Sequence, residues 1–123
     1  MSNILVVDDS LVMRKNIIAF LTRGGHTVIG EAVNGKDAVV KFIDLKPDLV
    51  TMDISMPKMD GIAAVTNIMK SHPEAKIIMI SAVGQKYMVL KAISLGAKNY
   101  IVKPIDEERL LEVIDEVLNE VNV

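Results

Sequence analysis

The chain alternates five times between two patterns of hydrophobic residues. In one pattern the apolar residues are continuous, mostly β-branched and few, as in residues 4–7. In the other they recur about every 3.6 residues, which is typical of a helix with one buried face. Turn signals such as Asn34-Gly35 and Asp60-Gly61 separate several of the runs. The alternation predicts five strands, each followed by a helix.

The same pattern predicts where these elements lie. Strands are expected over residues 4–7, 27–32, 49–53, 76–81 and 99–102. Helices are expected from about residue 10, after Asn34-Gly35, after Asp60-Gly61, over 85–95 and over 106–121. The inward residues of the first, second and last helices include Ile17, Leu21, Ala38, Phe42, Leu45, Val113, Ile114, Val117 and Val121.

Strands that alternate with helices form a parallel sheet covered by helices on both faces. Continuous apolar strands agree with this arrangement, because such strands are buried on both sides. We therefore predict one α/β domain over residues 1–123, without an output domain. All strand C-termini then share one edge of the sheet, where ligands of this fold class bind.

Composition removes several functional classes. The 123 residues are 50% apolar and 24% charged, with a net charge of −2 and no cysteine, so disulfides and thiolate metal sites are excluded. Basic residues are scattered and only two Tyr and two Phe are present, so no direct nucleic-acid binding is expected. The apolar runs are too short to cross a bilayer and no signal peptide is evident, so we expect a cytoplasmic protein without membrane insertion.

Reactive side chains follow four of the five predicted strands. Asp8 and Asp9 follow the first strand, and Asp53 ends the third. Ser81 ends the fourth strand, and Lys103 follows the fifth. Because parallel strands end at one edge, we expect these five side chains to meet. Three carboxylates at such short range repel one another unless a cation lies among them.

Oxygen ligands favour Mg²⁺, with Mn²⁺ as a substitute, over zinc. An aspartate can act as a nucleophile toward a phosphoryl group, so Asp53 is the expected phosphoacceptor. Lys103 and Ser81 are expected to bind phosphoryl oxygens. Taken singly, the same residues allow simpler explanations: Asp8 and Asp9 can cap a helix, and Lys103 can be a strand-end lysine that reaches solvent.

Four motifs together resemble two-component response-regulator receiver domains. They are ILVVDDS at residues 4–10, the stretch 53–61, SA at 81–82 and YIVKP at 100–104. The match covers essentially the whole chain and is most similar to the single-domain CheY-type chemotaxis receivers. The resemblance implies a flavodoxin-like, doubly wound (βα)5 fold with strand order 2-1-3-4-5.

The resemblance also implies roles for individual residues. Asp53 would take a phosphoryl group from a histidine kinase. Mg²⁺ would be bound by Asp9, Asp53 and the carbonyl of Ser55, with Asp8 contacting the ion mainly through water. Ser81 and Tyr100 would form a conformational switch, and the peptide between Lys103 and Pro104 would be cis.

The expected output is regulated binding. The fourth helix carries Tyr87, Leu90 and Ile93, so apolar groups lie on more than its core-facing side, which suggests a partner surface. We expect the face formed by this helix, the fifth strand and the last helix to bind a target such as a flagellar motor component when Asp53 is phosphorylated. The protein would be a monomeric switch and not an enzyme.

Two alternatives remain at this point. One is a phosphorelay intermediate that passes the phosphoryl group to another histidine. The more distant one is a Mg²⁺-dependent aspartyl-phosphate phosphatase, for which the chain lacks the length to build a cap over its substrate. His26 and His72 lie in predicted loops without an acidic partner nearby, so neither is expected to have a role.

Overall fold

The computed structural model describes residues 2–120 and confirms the predicted alternation of strands and helices. The strands are β1 (Asn3–Val7), β2 (Thr27–Ala32), β3 (Leu49–Asp53), β4 (Ile77–Ser81) and β5 (Asn99–Val102). The helices are α1 (Leu11–Arg23), α2 (Gly35–Leu45), α3 (Gly61–Ser71), α4 (Lys86–Leu95) and α5 (Glu107–Leu118). The predicted inward position of Val121 lies outside the described residues.

The five strands form one parallel sheet in the order β2-β1-β3-β4-β5, which confirms the flavodoxin-like topology. In the register of the sheet Val7 pairs with Met52, and Asp53 pairs with Ile80 one residue further along. Ser81 pairs with Val102. Consequently β1, β3, β4 and β5 end at nearly the same level, and the residues that follow them lie along one edge.

Two hydrophobic layers hold the sheet between the helices. Alternate strand residues, such as Val7 and Met79, face a layer formed with α2, α3 and α4. Their neighbours, such as Val6 and Ile80, face a second layer formed with α1 and α5. Because both faces are covered, the central strands are almost entirely apolar, with Thr51 of β3 as a buried polar exception, and the charged side chains lie at the strand ends.

One predicted core position is wrong. Leu45 is 39% exposed, although it follows Ala38 and Phe42 on the inward side of α2. It ends the helix above the edge strand β2, where it covers Gly30. A methyl group added to Gly30 would come within 2.6 Å of the Leu45 side chain. Leu45 therefore shields the edge of the sheet and does not enter the core.

Among the five helices within residues 2–120, four start with a side-chain cap. Ser10, Asn34, Asp60 and Asp106 each accept a hydrogen bond from the backbone N–H three residues later. This bond satisfies one of the N–H groups that a helix leaves free at its start. Gln85 precedes α4 and makes no such capping bond. In the part of the chain described here, none of the helices combines the length and apolarity needed to cross a membrane.

Candidate functional site

Three carboxylates meet at the C-terminal edge of the sheet. Asp8 and Asp9 follow β1, and Asp53 is the last residue of β3. Each offers a carboxylate oxygen, and these oxygens lie within 4.8 Å of one another. Asp8 is fully buried, Asp53 is 4% exposed, and Asp9 is exposed at the rim. The arrangement, called the acidic cup below, has two buried carboxylates at its base and one open to solvent.

Lys103 supplies the positive charge of the cup. Its Nζ lies 3.4 Å from Asp8 Oδ2 and 3.4 Å from Asp53 Oδ1. The backbone N–H of Lys103 donates to the carbonyl of Ser81 at 2.7 Å, which holds the end of β5 beside the end of β4. The peptide between Lys103 and Pro104 is cis, as the resemblance implies.

Burial controls the electrostatics of Asp53. Loss of solvent raises the pKa of its carboxyl to about 6, and the nearby charge of Asp8 acts in the same direction. The ammonium of Lys103 opposes both effects on this pKa. With a pKa of about 6, the Asp53 carboxyl is mainly ionised at neutral pH, which is the nucleophilic form. Because the charged carboxylate is largely buried, it lowers the stability of the folded protein.

The donor set of the acidic cup fits a hard divalent cation. Its ligand atoms are all carboxylate oxygens, and no sulfur or nitrogen ligand is among them. Asp8 Oδ2 is buried and accepts no hydrogen bond from residues 2–120, although it faces the Lys103 ammonium. The other oxygen of Asp8 accepts from the Ser10 N–H at 2.9 Å. The triad can therefore hold a metal ion, and Asp8 Oδ2, which is ion-paired with Lys103 but accepts no hydrogen bond within residues 2–120, can serve as one of the ligand atoms.

The loop that carries Asp8 and Asp9 is held by Arg14, a residue that sequence reasoning missed. Its Nη1 donates to the carbonyl of Asp8 at 2.8 Å, and its Nε bonds Glu31 Oε1 at 2.9 Å. The Arg14 side chain is only 11% exposed. The sequence does contain a signal for this role. Arg14 follows the capping residue Ser10 by four positions, so it lies one helical turn into α1, close to the loop that carries Asp8 and Asp9.

Gly61 fixes the other side of the cup. Its N–H donates to the carbonyl of Ile54 at 2.8 Å, and a methyl group at this position would overlap the backbone oxygen of Asp53. The Asp60-Gly61 turn thus combines two functions. Asp60 caps α3, and Gly61 lets the helix start lie directly against the strand that presents Asp53.

Ser81 and Tyr100 line the same cavity. Ser81 is buried at the end of β4, whereas Tyr100 lies on β5 and is 42% exposed. Between them is a cavity of about 270 Å³, which Val83, Val89 and Val102 also line. The Tyr100 ring therefore has space available beside Ser81.

Ser55 lies on the β3–α3 loop with its hydroxyl bonded to Gln85 at 2.7 Å.

The two histidines differ from each other. His26 is buried, and its Nε2 lies 3.9 Å from Asp115 Oδ1 of α5, so the expectation that it lacks an acidic partner is wrong. The loop before β2 packs on the distant α5, which a local pattern does not reveal. His72 packs edge-on against Phe42 and lines a cavity of about 710 Å³ that none of the predicted site residues lines.

The family profile described as "Response regulator receiver domain" matches residues 4–115, most of the chain. This chain is a response regulator receiver domain. Chemotaxis protein CheY of Thermotoga maritima is 51% identical to it over 114 residues, which cover 93% of this chain and 95% of that protein. Chemotaxis protein CheY of Bacillus subtilis is 51% identical over 116 residues, covering 94% and 97% respectively.

A solved structure gives the same result for the receiver's fold. The crystal structure of the CheX-CheY-BeF3-Mg complex from Borrelia burgdorferi contains a chain that superposes with a TM-score of 0.91. That chain is 40% identical to the receiver, and the match covers 96% of the receiver and 90% of that chain. The receiver is a CheY-like phosphoacceptor of chemotaxis signalling with an acidic pocket, a phosphorylation switch rather than a catalytic enzyme.

Proposed function

We propose that Asp53 accepts a phosphoryl group from the phosphohistidine of a histidine kinase. The observation that carries this proposal is the position of Asp53, nearly buried at a strand end with the Lys103 ammonium 3.4 Å from its carboxylate. Nucleophilic attack by an Asp53 oxygen on phosphorus forms an acyl phosphate. The bond between phosphorus and the histidine nitrogen breaks, and the imidazole leaves with the electron pair.

The residues of the cup have separate tasks in this reaction. Asp53 is mainly ionised at neutral pH because its pKa is about 6, so no base has to remove a proton first. Lys103 moves its hydrogen bond from the carboxylate to a phosphoryl oxygen, where it stabilises the transferred charge. Burial of Asp53 excludes much of the water that would otherwise weaken this interaction.

The proposed metal is Mg²⁺, with Mn²⁺ as a substitute. Asp8, Asp9, Asp53 and the carbonyl of Ser55 are its proposed ligands, Asp8 mainly through water. When bound, the ion neutralises charge on the phosphoryl oxygens and helps to orient the donor. The oxygen-only donor set of the three carboxylates supports this choice over zinc.

Ser81 and Tyr100 are the proposed switch. Phosphorylation adds roughly −1.5 to −2 charges and three acceptor oxygens at Asp53. The Ser81 hydroxyl then turns toward the phosphoryl group, and Tyr100 moves into the cavity of about 270 Å³ that both residues line. Converting a 1:99 population into 99:1 requires about 5.5 kcal/mol of differential binding, which several charge-assisted hydrogen bonds can supply.

The proposed output surface is formed by α4, β5 and α5. Tyr87, Leu90 and Ile93 of α4 and Tyr100 and Val102 of β5 expose apolar groups on it. Tyr100 belongs both to the switch and to this surface, so a change in its position alters what a partner contacts. The proposed partner is a protein target such as a flagellar motor component, bound by a monomeric, cytoplasmic receiver.

Relatives suggest one further partner class, since the Borrelia chain forms a complex with CheX.

Passing the phosphoryl group to a second histidine remains the main alternative. Transfer of a labelled phosphoryl group from the phosphorylated receiver to a histidine of a second protein would favour that role. Multiple turnovers on phosphomonoesters would instead favour the phosphatase.

The proposal is tested by exposing the protein to acetyl phosphate with and without Mg²⁺ and measuring its intact mass. We expect one added phosphoryl group that requires Mg²⁺. Asp53→Asn should abolish the mass increase, whereas Asp44→Asn, which changes an exposed carboxylate of α2, should not. Labelling that persists in Asp53→Asn would contradict the assignment of the phosphoacceptor.

A further inference from the structure

The side chain of Gln85 connects the two loops that flank Asp53. Its Oε1 accepts a hydrogen bond from the backbone N–H of Ala82 at 2.7 Å, and its Nε2 donates to Ser55 Oγ at 2.7 Å. Ala82 directly follows β4, and Ser55 lies two residues after β3. One carboxamide therefore joins the β3–α3 loop to the β4–α4 loop. We call this pair of hydrogen bonds the Gln85 clasp.

The partners determine the orientation of the carboxamide. A backbone N–H can only donate, so the Gln85 atom next to Ala82 has to be the oxygen. The nitrogen then faces the hydroxyl of Ser55, which can accept. Both bonds are at the short end of the range for N–H···O hydrogen bonds. The clasp is thus a specific contact rather than a chance approach of two surface groups.

Gln85 also stands where α4 begins, and among the helices that the structure describes α4 is the one without a side-chain capping bond. A backbone bond of 3.3 Å joins the Gln85 N–H to the carbonyl of Ala82, and the clasp supplies the remaining polar connection of Gln85 to the site loops. The start of α4 is therefore anchored through the clasp rather than by its own cap. Because α4 carries the exposed Tyr87 and Leu90, the clasp lies between the site and the proposed partner surface.

A phosphoryl group on Asp53 would compete with Gln85 for the N–H of Ala82. It brings three strong acceptor oxygens, and backbone N–H groups that line a crevice are common ligands of such oxygens. Ala82 is two residues after Ile80, which pairs with Asp53, and it follows Ser81, the proposed phosphoryl ligand. In the unphosphorylated protein the oxygen of Gln85 satisfies this donor.

We propose that Gln85 is a positioning residue that holds both loops in the unphosphorylated arrangement and gives up the Ala82 N–H when Asp53 is phosphorylated. Release of the clasp frees the start of α4 and so connects the reaction to the partner surface. The inference rests on the proposed function, because it requires a phosphoryl group at Asp53.

The test measures the affinity of the Mg²⁺-saturated protein for beryllofluoride, a phosphoryl analogue, by ¹H–¹⁵N NMR titration. Gln85→Met removes both hydrogen bonds of the clasp and keeps a side chain of similar size. We expect roughly fivefold tighter binding of the analogue, because one hydrogen bond no longer competes with it. The matched control is Asn67→Leu, which replaces an exposed amide of α3 and should leave the affinity unchanged.

A double-mutant cycle shows whether Gln85 acts through Ser55. Ser55→Ala removes only one bond of the clasp, so its effect should be smaller than that of Gln85→Met. The double variant should bind the analogue as Gln85→Met does, because the clasp is already absent. Effects that add in full would mean that the two side chains act independently and would overturn the proposal.

Two further results separate the possible failures. If Gln85→Met lowers the unfolding midpoint but leaves the affinity for beryllofluoride unchanged, Gln85 is merely structural and the inference is wrong. In the wild-type protein the side-chain NH₂ resonances of Gln85 should shift when the analogue binds, and unshifted resonances would also overturn it. If the Mg²⁺-saturated wild-type protein does not bind beryllofluoride at all, the proposed function fails together with the inference.

Discussion

The Lys103 ammonium lies 3.4 Å from the Asp53 carboxylate, although β4 separates the strands from which the two residues come. The side chain of Lys103 crosses the end of β4 and also reaches Asp8 at 3.4 Å. One cation thus balances two buried carboxylates that belong to β3 and to the loop after β1. The same contact stabilises the resting protein and places a hydrogen-bond donor where phosphoryl oxygens are proposed to bind.

Replacing Lys103 should therefore have opposite effects on two measurements. We expect Lys103→Met to slow phosphorylation by acetyl phosphate roughly 100-fold, since a donor to the transferred charge is lost. Mg²⁺ affinity, measured by calorimetry, should rise because the ammonium no longer competes for Asp8 and Asp53. Lys98→Met is the control. Lys98 directly precedes β5, at the N-terminal ends of the strands and away from the acidic cup. Weaker Mg²⁺ binding in Lys103→Met would contradict this explanation.

The raised pKa of Asp53 predicts how stability depends on pH in the absence of metal. A folded-state pKa of about 6, above the ordinary 3.8, means that the folded protein binds the proton more tightly than the unfolded chain. The stabilisation that protonated Asp53 provides is complete below about pH 4 and is lost as the pH rises through about 6. Ionised Asp53 consequently destabilises the fold at neutral pH.

Asp53→Asn should reveal this cost directly. In EDTA at pH 8 we expect the variant to be more stable than wild type by roughly 2 kcal/mol, and the two proteins to converge near pH 4. Urea unfolding across this pH range provides the free energies. Asp44→Asn, on the exposed side of α2, controls for the loss of one negative charge. A difference that does not vary with pH would show that burial of Asp53 is not its cause.

Mg²⁺ should stabilise the protein through the acidic cup. At a free concentration 100 times the dissociation constant, binding to the folded state alone adds about 2.7 kcal/mol. We expect Asp9→Asn to lose most of the increase in unfolding midpoint that Mg²⁺ produces in the wild type. Asp9 is exposed, so its substitution should not disturb the core. An equal Mg²⁺-dependent increase in the variant would place the ion elsewhere.

Gly61 and Gly24 provide a matched pair for the packing of the cup. Gly61→Ala would push a methyl group into the backbone oxygen of Asp53, which cannot move without the strand. We expect a loss of about 1–3 kcal/mol in unfolding free energy together with slower phosphorylation. Gly24→Ala meets only the flexible side chain of Leu111, so it should cost less stability and leave phosphorylation unchanged. Similar losses in both variants would argue against a rigid contact at Gly61.

Much of the site was accessible from the sequence because parallel topology converts strand order into proximity. Asp8, Asp9, Asp53, Ser81 and Lys103 all stand at or just after strand ends, and the register of the sheet brings those ends level. The geometry of Lys103 with Asp8 and Asp53 agrees with that reasoning. The roles assigned to Ser55, Ser81 and Tyr100 stay predictions.

Contacts between distant side chains were not accessible in this way. His26 meets Asp115 because the loop after α1 packs on α5, and Gln85 reaches Ser55 because two loops converge. Neither pair follows a repeating pattern along the chain. Their contacts depend on helix packing and side-chain torsions, which hydrophobic periodicity does not specify.

Hydrophobic periodicity and the residues at strand ends were thus sufficient for the fold class, for the strand boundaries to within one residue and for the chemical identity of the acidic cup. The folded structure alone supplied the distances within the cup, the clasp of Gln85 and the pKa of Asp53. The reason is physical: periodicity is a local property of the chain, whereas desolvation and charge interactions depend on what surrounds an atom in three dimensions.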